Sequence, residues 1–121
     1  MKKAEIASEF SGILRLLREH AFLKYSTAGR EEYNQRLLSA SSMFTNLVSR
    51  ATGLVLPSPL QYVELDKISD GSYAGLLRTV HRLVGKLRRK PAACSAQEAQ
   101  NLEKMRMAWE RAALLLSKIQ D

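Results

Sequence analysis

Residues 72–90 read SYAGLLRTVHRLVGKLRRK, and this stretch predicts both the fold class and the chain's most unusual property. Its apolar residues recur at the three- and four-residue steps of an amphipathic helix. They form one stripe, made of Leu76, Leu77, Val80, Leu83, Val84 and Leu87. Because such a stripe has to be buried against other elements, the stretch predicts a helix that contributes to a shared core.

The other side of this helix is basic. Arg78, Arg82, Lys86 and Arg89 share that side, and the flanks hold His81, Arg88 and Lys90. The whole chain has 19 Lys and Arg against 12 Asp and Glu, which gives a formal net charge of +7. Six of these cations lie in this one stretch, and no Asp or Glu occurs from residue 71 to residue 97. The unbalanced charge is therefore concentrated on one helix.

Helix physics alone does not account for this charge. Cations near a helix C-terminus are stabilised by the macrodipole, but Arg78 and Arg82 lie too far from the last turn. Arg78 with Arg82, and Arg82 with Lys86, are like-charged pairs four residues apart, which oppose each other. Two explanations remain open: carboxylates of neighbouring helices or solvent accommodate the cations, or the face binds an anionic ligand such as a nucleic-acid backbone.

Size and composition predict one soluble domain spanning residues 1–121. The chain is 45% hydrophobic and 26% charged, which is typical of globular proteins. No apolar run reaches the length of a membrane span, and no apolar stretch follows the basic N-terminus as in a signal peptide. The single Cys94 excludes an internal disulfide. We therefore expect a cytoplasmic protein that does not interact with membranes.

Outward from the basic helix, three further helices are predicted. Residues 4–26 keep a helical apolar spacing, and Ser26 or Thr27 is placed to cap the helix that follows. That second helix has a heptad-like seam and ends at Gly53; the seam contains Tyr33, Leu37, Ala40, Phe44, Leu47 and Ala51. Pro91 stops the basic helix, and Ser95 with Glu98 resembles a capping box for the last one. The last seam contains Leu102, Met105, Trp109, Ala112, Leu116 and Ile119.

Between the second helix and the basic helix, Pro57 and Pro59 exclude a continuous helix. Residues 59–68 suit a short extra helix, with a packed loop as the alternative, and Asp70 or Ser72 is placed to cap the basic helix. No strand alternation competes with these patterns. The predicted fold is all-α, an up-and-down bundle of four main helices.

The sequence offers little catalytic or cofactor chemistry. His20, His81 and Cys94 are too few and too far apart for a zinc site, and no phosphate-binding glycine loop is present. We therefore expect no cofactor, no metal and no small-molecule substrate. Among the tyrosines outside the seams, Tyr73 at the start of the basic helix is the best placed to stack on a base.

Arg15 and His20 are separated by four residues, L-L-R-E, on the first helix. This pair resembles the R-x4-H motif of HEPN ribonuclease domains, which are also basic helical bundles. The resemblance implies that His20 acts as a general acid or base and that Arg15 steadies the phosphate. The family's usual polar residue after the Arg is here Leu16. We expect Arg15 to be solvated and His20 to lie at the edge of the bundle, and we expect the protein not to be an enzyme.

The preferred functional hypothesis is binding of a DNA or RNA backbone without sequence readout, through Arg78, His81, Arg82, Lys86, Arg88, Arg89, Lys90 and Tyr73. A basic protein this small suits a subunit of a larger nucleoprotein complex, and the small helical subunits of CRISPR interference complexes are similar in class and size. The alternative is a helical adaptor or chaperone that docks an acidic protein. Apolar residues off the seams, such as Leu16, Leu38 and Met43, favour a protein partner or self-association.

Overall fold

The computed structural model describes residues 1–59, 62–89 and 95–120. Over these ranges the chain forms four α-helices: α1 (Lys3–Glu19), α2 (Thr27–Thr52), α3 (Tyr73–Leu87) and α4 (Ala96–Ser117). Two short 3-10 helices, Ala21–Tyr25 and Leu65–Lys67, lie between them. The described ranges contain no strand, so the predicted all-α bundle is confirmed. The predictions made for Lys90, Pro91 and Cys94 lie outside the described residues.

The apolar stripe of α3 is buried as the spacing predicted. Leu76, Val80 and Leu83 are at most 1% exposed, and Leu77 packs against the core at its edge. The stripe joins one hydrophobic cluster to which all four helices contribute. Burial of each such side chain stabilises the fold by roughly 1.5–3 kcal/mol.

The helices form two antiparallel pairs around this cluster. α1 packs against α2, and an ion pair between Glu9 and Arg50 joins the middle of α1 to the end of α2. α3 packs against α4, where the hydroxyl of Tyr73 at the start of α3 donates to the carbonyl of Leu116 near the end of α4. Contacts between α1 and α3 and between α2 and α4 complete the bundle.

Aromatic rings connect the two pairs. The Phe44 ring of α2 lies parallel to the Trp109 ring of α4, with centroids 5.9 Å apart, and also contacts Phe10 of α1 at 5.9 Å. All three side chains are fully buried. Trp109 Nε1 donates to the Pro57 carbonyl at 3.0 Å, so the polar atom of the indole has a partner in the connection between α2 and α3.

The first helix is shorter than the sequence predicted. A single helix over residues 4–26 is wrong, because α1 ends at Glu19 and a 3-10 helix follows. At this point the ring of His20 donates from Nδ1 to the Leu16 carbonyl oxygen, 2.9 Å away. The ring thus takes over a hydrogen bond that a continuing backbone would have made. The tight turn then brings Ala21–Tyr25 against the start of α2.

The connection from α2 to α3 contains much less helix than residues 59–68 allow. Among the residues described, Leu65–Lys67 forms a 3-10 helix. The amide of Tyr62, also in 3-10 conformation, donates to the Pro59 carbonyl at 2.8 Å; Leu60 lies outside the described residues. Val63 and Leu65 are nevertheless buried, and Ile68 packs against the core. The segment therefore behaves mainly as the packed loop that was the alternative prediction.

Apart from the end of the first helix, the predicted helix caps are confirmed where the structure describes them. Ser26 accepts a hydrogen bond from the amide of Gly29, and Ser72 accepts one from the amide of Gly75. Ser95 caps α4 in the same way. Gly53 ends α2 with a φ of 75°, a left-handed conformation that glycine adopts without strain.

We expect substitution by alanine to change the free energy of unfolding in opposite directions at two glycines of α3. A Cβ added at Gly75 would overlap the backbone carbonyl of Asp70, whereas one added at Gly85 meets nothing within 4 Å. We expect Gly75→Ala to lower the free energy of unfolding by about 1–3 kcal/mol. Gly85→Ala should raise it by about 0.5–1 kcal/mol, because alanine restricts the unfolded chain more than glycine does.

Urea unfolding monitored by circular dichroism measures both changes. The same sign for the two variants would contradict the packing of α3 against the turn that precedes it.

Candidate nucleic-acid interface

The sequence-predicted binding face lies along the outside of α3. Arg78, His81, Arg82 and Arg89 are exposed, and Lys86 is half-buried at the edge of the face. Arg88 lies just beyond the last residue of α3, as its C-cap. Because the apolar stripe is buried, the cations on the opposite side of the helix point into solvent. Lys90 lies outside the described residues.

One end of this face is occupied by an ion pair. Arg78 Nη2 donates to Asp70 Oδ2, on the turn that caps α3. The other oxygen, Oδ1, accepts from the amide of Ser72 at 2.9 Å. Hydrogen bonding from Ser72, and secondarily the charge of Arg78, hold the pKa of Asp70 below its usual value. Arg78 is thus tied to the cap of its own helix.

The two flanks of the face are also paired, each with a carboxylate from a different element. Lys86 Nζ lies 3.5 Å from Glu64 in the connection before α3. Arg88 Nη2 lies 2.6 Å from Glu110 Oε1 on α4. Carboxylates of neighbouring segments therefore accommodate part of the charge, which was one of the two explanations left open by the sequence.

Both of these carboxylates are shared with a second cation. Glu64 also contacts Lys67 at 3.0 Å, and its pKa is lowered first by Lys67 and then by Lys86. Glu110 also contacts Arg106 at 2.8 Å, and its pKa is lowered first by Arg88 and then by Arg106. Arg106 is also paired with Glu103, so the cluster at Arg88 contains two cations and two carboxylates. At Glu64 one negative charge faces two positive ones, so that flank stays positive.

At two positions of the basic face, no carboxylate balances the positive charge. Within the part of the chain that the structure describes, Arg82 and Arg89 form no ion pair, and both are exposed. Arg82 lies on α3, whereas Arg89 lies two residues past the last residue of that helix. The unpaired cations therefore continue the basic face beyond the C-terminal end of α3.

A second line of cations, which the sequence analysis missed, lies on α4. Lys104, Arg111 and Lys118 recur every seven residues, are exposed, and form no ion pair with any described residue. Met107 and Leu114 lie beside them and are 58% and 54% exposed. The seven-residue repeat was visible in the sequence. The acidic residues of α4 balance these cations in number, but Glu103 and Glu110 pair with other cations.

Tyr73 is half-buried rather than free at the start of α3. Its hydroxyl donates to the Leu116 carbonyl, and Lys3 Nζ lies 5.5 Å from the centroid of its ring. This geometry is that of a side chain that joins α3 to α4. A base would have to displace Lys3 in order to stack on the exposed part of the ring, so stacking at Tyr73 stays a prediction.

The structure does not bring Arg15 and His20 together. Arg15 is exposed on α1, whereas His20 lies past the end of that helix with its ring 6.3 Å from that of Phe22. No hydrogen bond or ion pair joins the two in the described part of the chain. A ribonuclease-like role for this pair receives no geometric support.

Comparisons with protein-family models, with curated proteins and with solved structures found no match for this chain. Among the described residues, none of the helices has the length and apolar content needed to cross a bilayer. The same residues contain no group of three or more His, Cys, Asp or Glu side chains arranged to hold a metal ion. The unpaired cations on α3 and α4, and just past the end of α3, are therefore the features that indicate a function.

The contact among Arg88, Glu110 and Arg106 predicts a pH-dependent contribution to stability. The folded-state pKa of Glu110 is below its usual value of 4.5, so the stabilisation is fully present above pH 4.5 and is lost as the pH falls through the folded pKa. We expect Glu110→Gln to be less stable than the parent at neutral pH. In acid, the two free energies of unfolding should converge.

Urea unfolding of both proteins over a series of pH values measures this convergence. A difference that stays constant down to the most acidic pH would show that Glu110 makes no charge-dependent contact with the two arginines.

Proposed function

We propose that the α3–α4 side of the bundle binds the phosphate backbone of a nucleic acid without reading its sequence. One observation carries the proposal: five exposed cations, on α3 and α4 or just past their C-terminal ends, have no carboxylate partner among the described residues. They are Arg82, Arg89, Lys104, Arg111 and Lys118. Cations that are already solvated and unpaired lose little when they contact phosphates, so they are suited to that role.

Spacing supports a backbone contact over base readout. The line on α4 repeats at about 10 Å and extends over about 21 Å. Arginine and lysine bind phosphate oxygens as charges, and such contacts position a protein without conveying sequence information. The exposed face of α3 contains no Asn or Gln, which are typical readers of base edges.

Arg78, Lys86 and Arg88 have a different role in this proposal from the one the sequence suggested. Their carboxylate partners hold them in place, so they raise the local potential more than they contact phosphates directly. His81 is exposed beside them and adds a hydrogen-bond donor. A small protein with such a surface suits a subunit of a larger nucleoprotein complex.

Salt dependence tests the proposal directly. Five phosphate contacts predict that log Kobs for a mixed-sequence DNA duplex falls with log salt at a slope of about −4.5. Arg82→Gln with Arg89→Gln should weaken binding and reduce the slope to about −2.7, because two contacts are removed. Fluorescence anisotropy at several salt concentrations measures the slope, on the duplex and on a single strand.

The matched control is Arg15→Gln with Arg30→Gln, which removes the same charge from α1 and α2. Both arginines are exposed and have no ion pair in the described ranges. This control should keep a slope of about −4.5. Equal effects of the two double variants would mean that net charge alone attracts the nucleic acid, and the proposed surface would be wrong.

The exposed side chains of Met107 and Leu114 favour a second candidate, an acidic protein surface with apolar contacts. Met107→Gln with Leu114→Gln distinguishes the two, since it leaves every cation in place. Phosphate-backbone binding predicts unchanged DNA affinity for this variant. If the parent binds DNA no better than polyglutamate at equal salt, the acidic protein partner becomes the preferred function.

A further inference from the structure

A small cavity lies at the edge of the basic face, between α3 and the connection that precedes this helix. Its described lining contains three cationic side chains: Lys67 of the connection, and Arg82 and Lys86 of α3. The same lining contains one carboxylate, that of Glu64. Three positive charges therefore face one negative charge, which gives the cavity a formal charge of +2.

Glu64 holds two of these cations without neutralising the group. Its carboxylate lies 3.0 Å from the Nζ atom of Lys67 and 3.5 Å from that of Lys86. Hydrogen bonding from Lys67, and then the charge of Lys86, lower the pKa of Glu64, so the carboxylate is ionised at neutral pH. A lysine ammonium group has three N–H donors, so contact with Glu64 leaves donors free on both lysines.

The third cation of the cavity is not compensated. Arg82 forms no ion pair with any described residue. Asp66 lies beside Lys67 in sequence, but its carboxylate lies 3.6 Å from Lys24 and is not part of the described lining. The positive charge of the cavity is therefore available to an anion.

The size of the cavity limits which anion can enter. Its volume is about 70 Å3, which is about twice the share of liquid volume of one water molecule, roughly 30 Å3. Sites that enclose a whole small molecule have roughly 300–1,000 Å3. Buried Val63 and Leu83 form part of the wall, and an apolar wall strengthens the attraction between charges. The cavity suits a compact anion and is too small for a base or a sugar.

We propose that this cavity binds the terminal phosphate monoester of a nucleic-acid strand. A phosphate monoester carries a charge of about −1.5 to −2 at pH 7, which matches the cavity better than the single charge of a phosphodiester. A terminal phosphate can also enter a recess that a phosphate within the strand, joined to sugars on both sides, cannot enter. The inference rests on the proposed function, because Arg82 belongs both to the cavity and to the unpaired cations of the α3–α4 side.

One single strand in three forms tests this assignment: with a phosphate at the 5′ end, with a phosphate at the 3′ end, and with neither. We expect the parent to bind one of the phosphorylated forms about tenfold more tightly than the unphosphorylated form, the equivalent of one hydrogen bond to a charged group. Fluorescence anisotropy with the label placed within the strand measures the three dissociation constants.

Two variants of equal charge show whether the cavity causes this preference. Lys67→Gln with Lys86→Gln leaves Arg82 facing Glu64, so the preference should fall to within about twofold. The matched control is Lys104→Gln with Lys118→Gln on α4, which should weaken binding of all three forms and keep a preference of about tenfold. Circular dichroism checks that both variants remain helical. A preference that survives the cavity variant would overturn the inference.

Inorganic phosphate tests the cavity without any nucleic acid. Added to the parent, it should change the backbone amide shifts most at residues 62–67 and 79–86, and the cavity variant should lose these changes. Absence of these changes would overturn the inference even if the strands bind. Changes at these residues, combined with equal affinity for the three strand forms, would mean that the cavity binds free phosphate rather than a strand end. In both cases binding of the backbone would still stand, whereas a parent that binds no strand would contradict the proposed function itself and this inference with it.

Discussion

Burial of one apolar stripe determines most of the surface chemistry of this protein. Once Leu76, Val80 and Leu83 enter the core, helix geometry directs the cations of α3 outward. Burial of each such side chain stabilises the fold by roughly 1.5–3 kcal/mol. Like-charge repulsion between neighbouring cations destabilises it by only about 0.2–0.5 kcal/mol per pair. Packing therefore prevails, and the basic face follows from it.

The rest of the chain compensates this face only in part. Its carboxylate partners come from three different places: Asp70 in the capping turn, Glu64 in the connection and Glu110 on α4. Glu64 is shared by two cations, whereas the cluster at Glu110 is balanced by Glu103. Exposed pairs of this kind contribute little to stability. Pairing leaves Arg82 on α3 and Arg89 just past its end without a carboxylate partner among the described residues.

Local sequence patterns predicted the fold well because each helix is specified by neighbours in sequence. Apolar spacing identified all four helices, and the caps at Ser72 and Gly53 followed from residue type. The end of α1 at Glu19 was missed because it depends on a side-chain contact, the ring of His20 on the Leu16 carbonyl.

The sequence predicted the basic residues of the candidate site but not their ion pairs, because pairing between elements depends on tertiary packing. Nothing in the spacing of residues 59–68 indicated that Glu64 would reach Lys86. The line on α4 was missed for the converse reason: its acidic residues cancel Lys104, Arg111 and Lys118 in a charge count, yet they contact other groups.

Backbone amide shifts recorded by NMR while a short oligonucleotide is added test the central claim most directly. We expect the largest changes at Arg82 and Arg89 and along the cation line of α4, with small changes along α1 and α2. Changes spread evenly over all exposed Lys and Arg residues, or concentrated at Arg15 and Arg30, would contradict it.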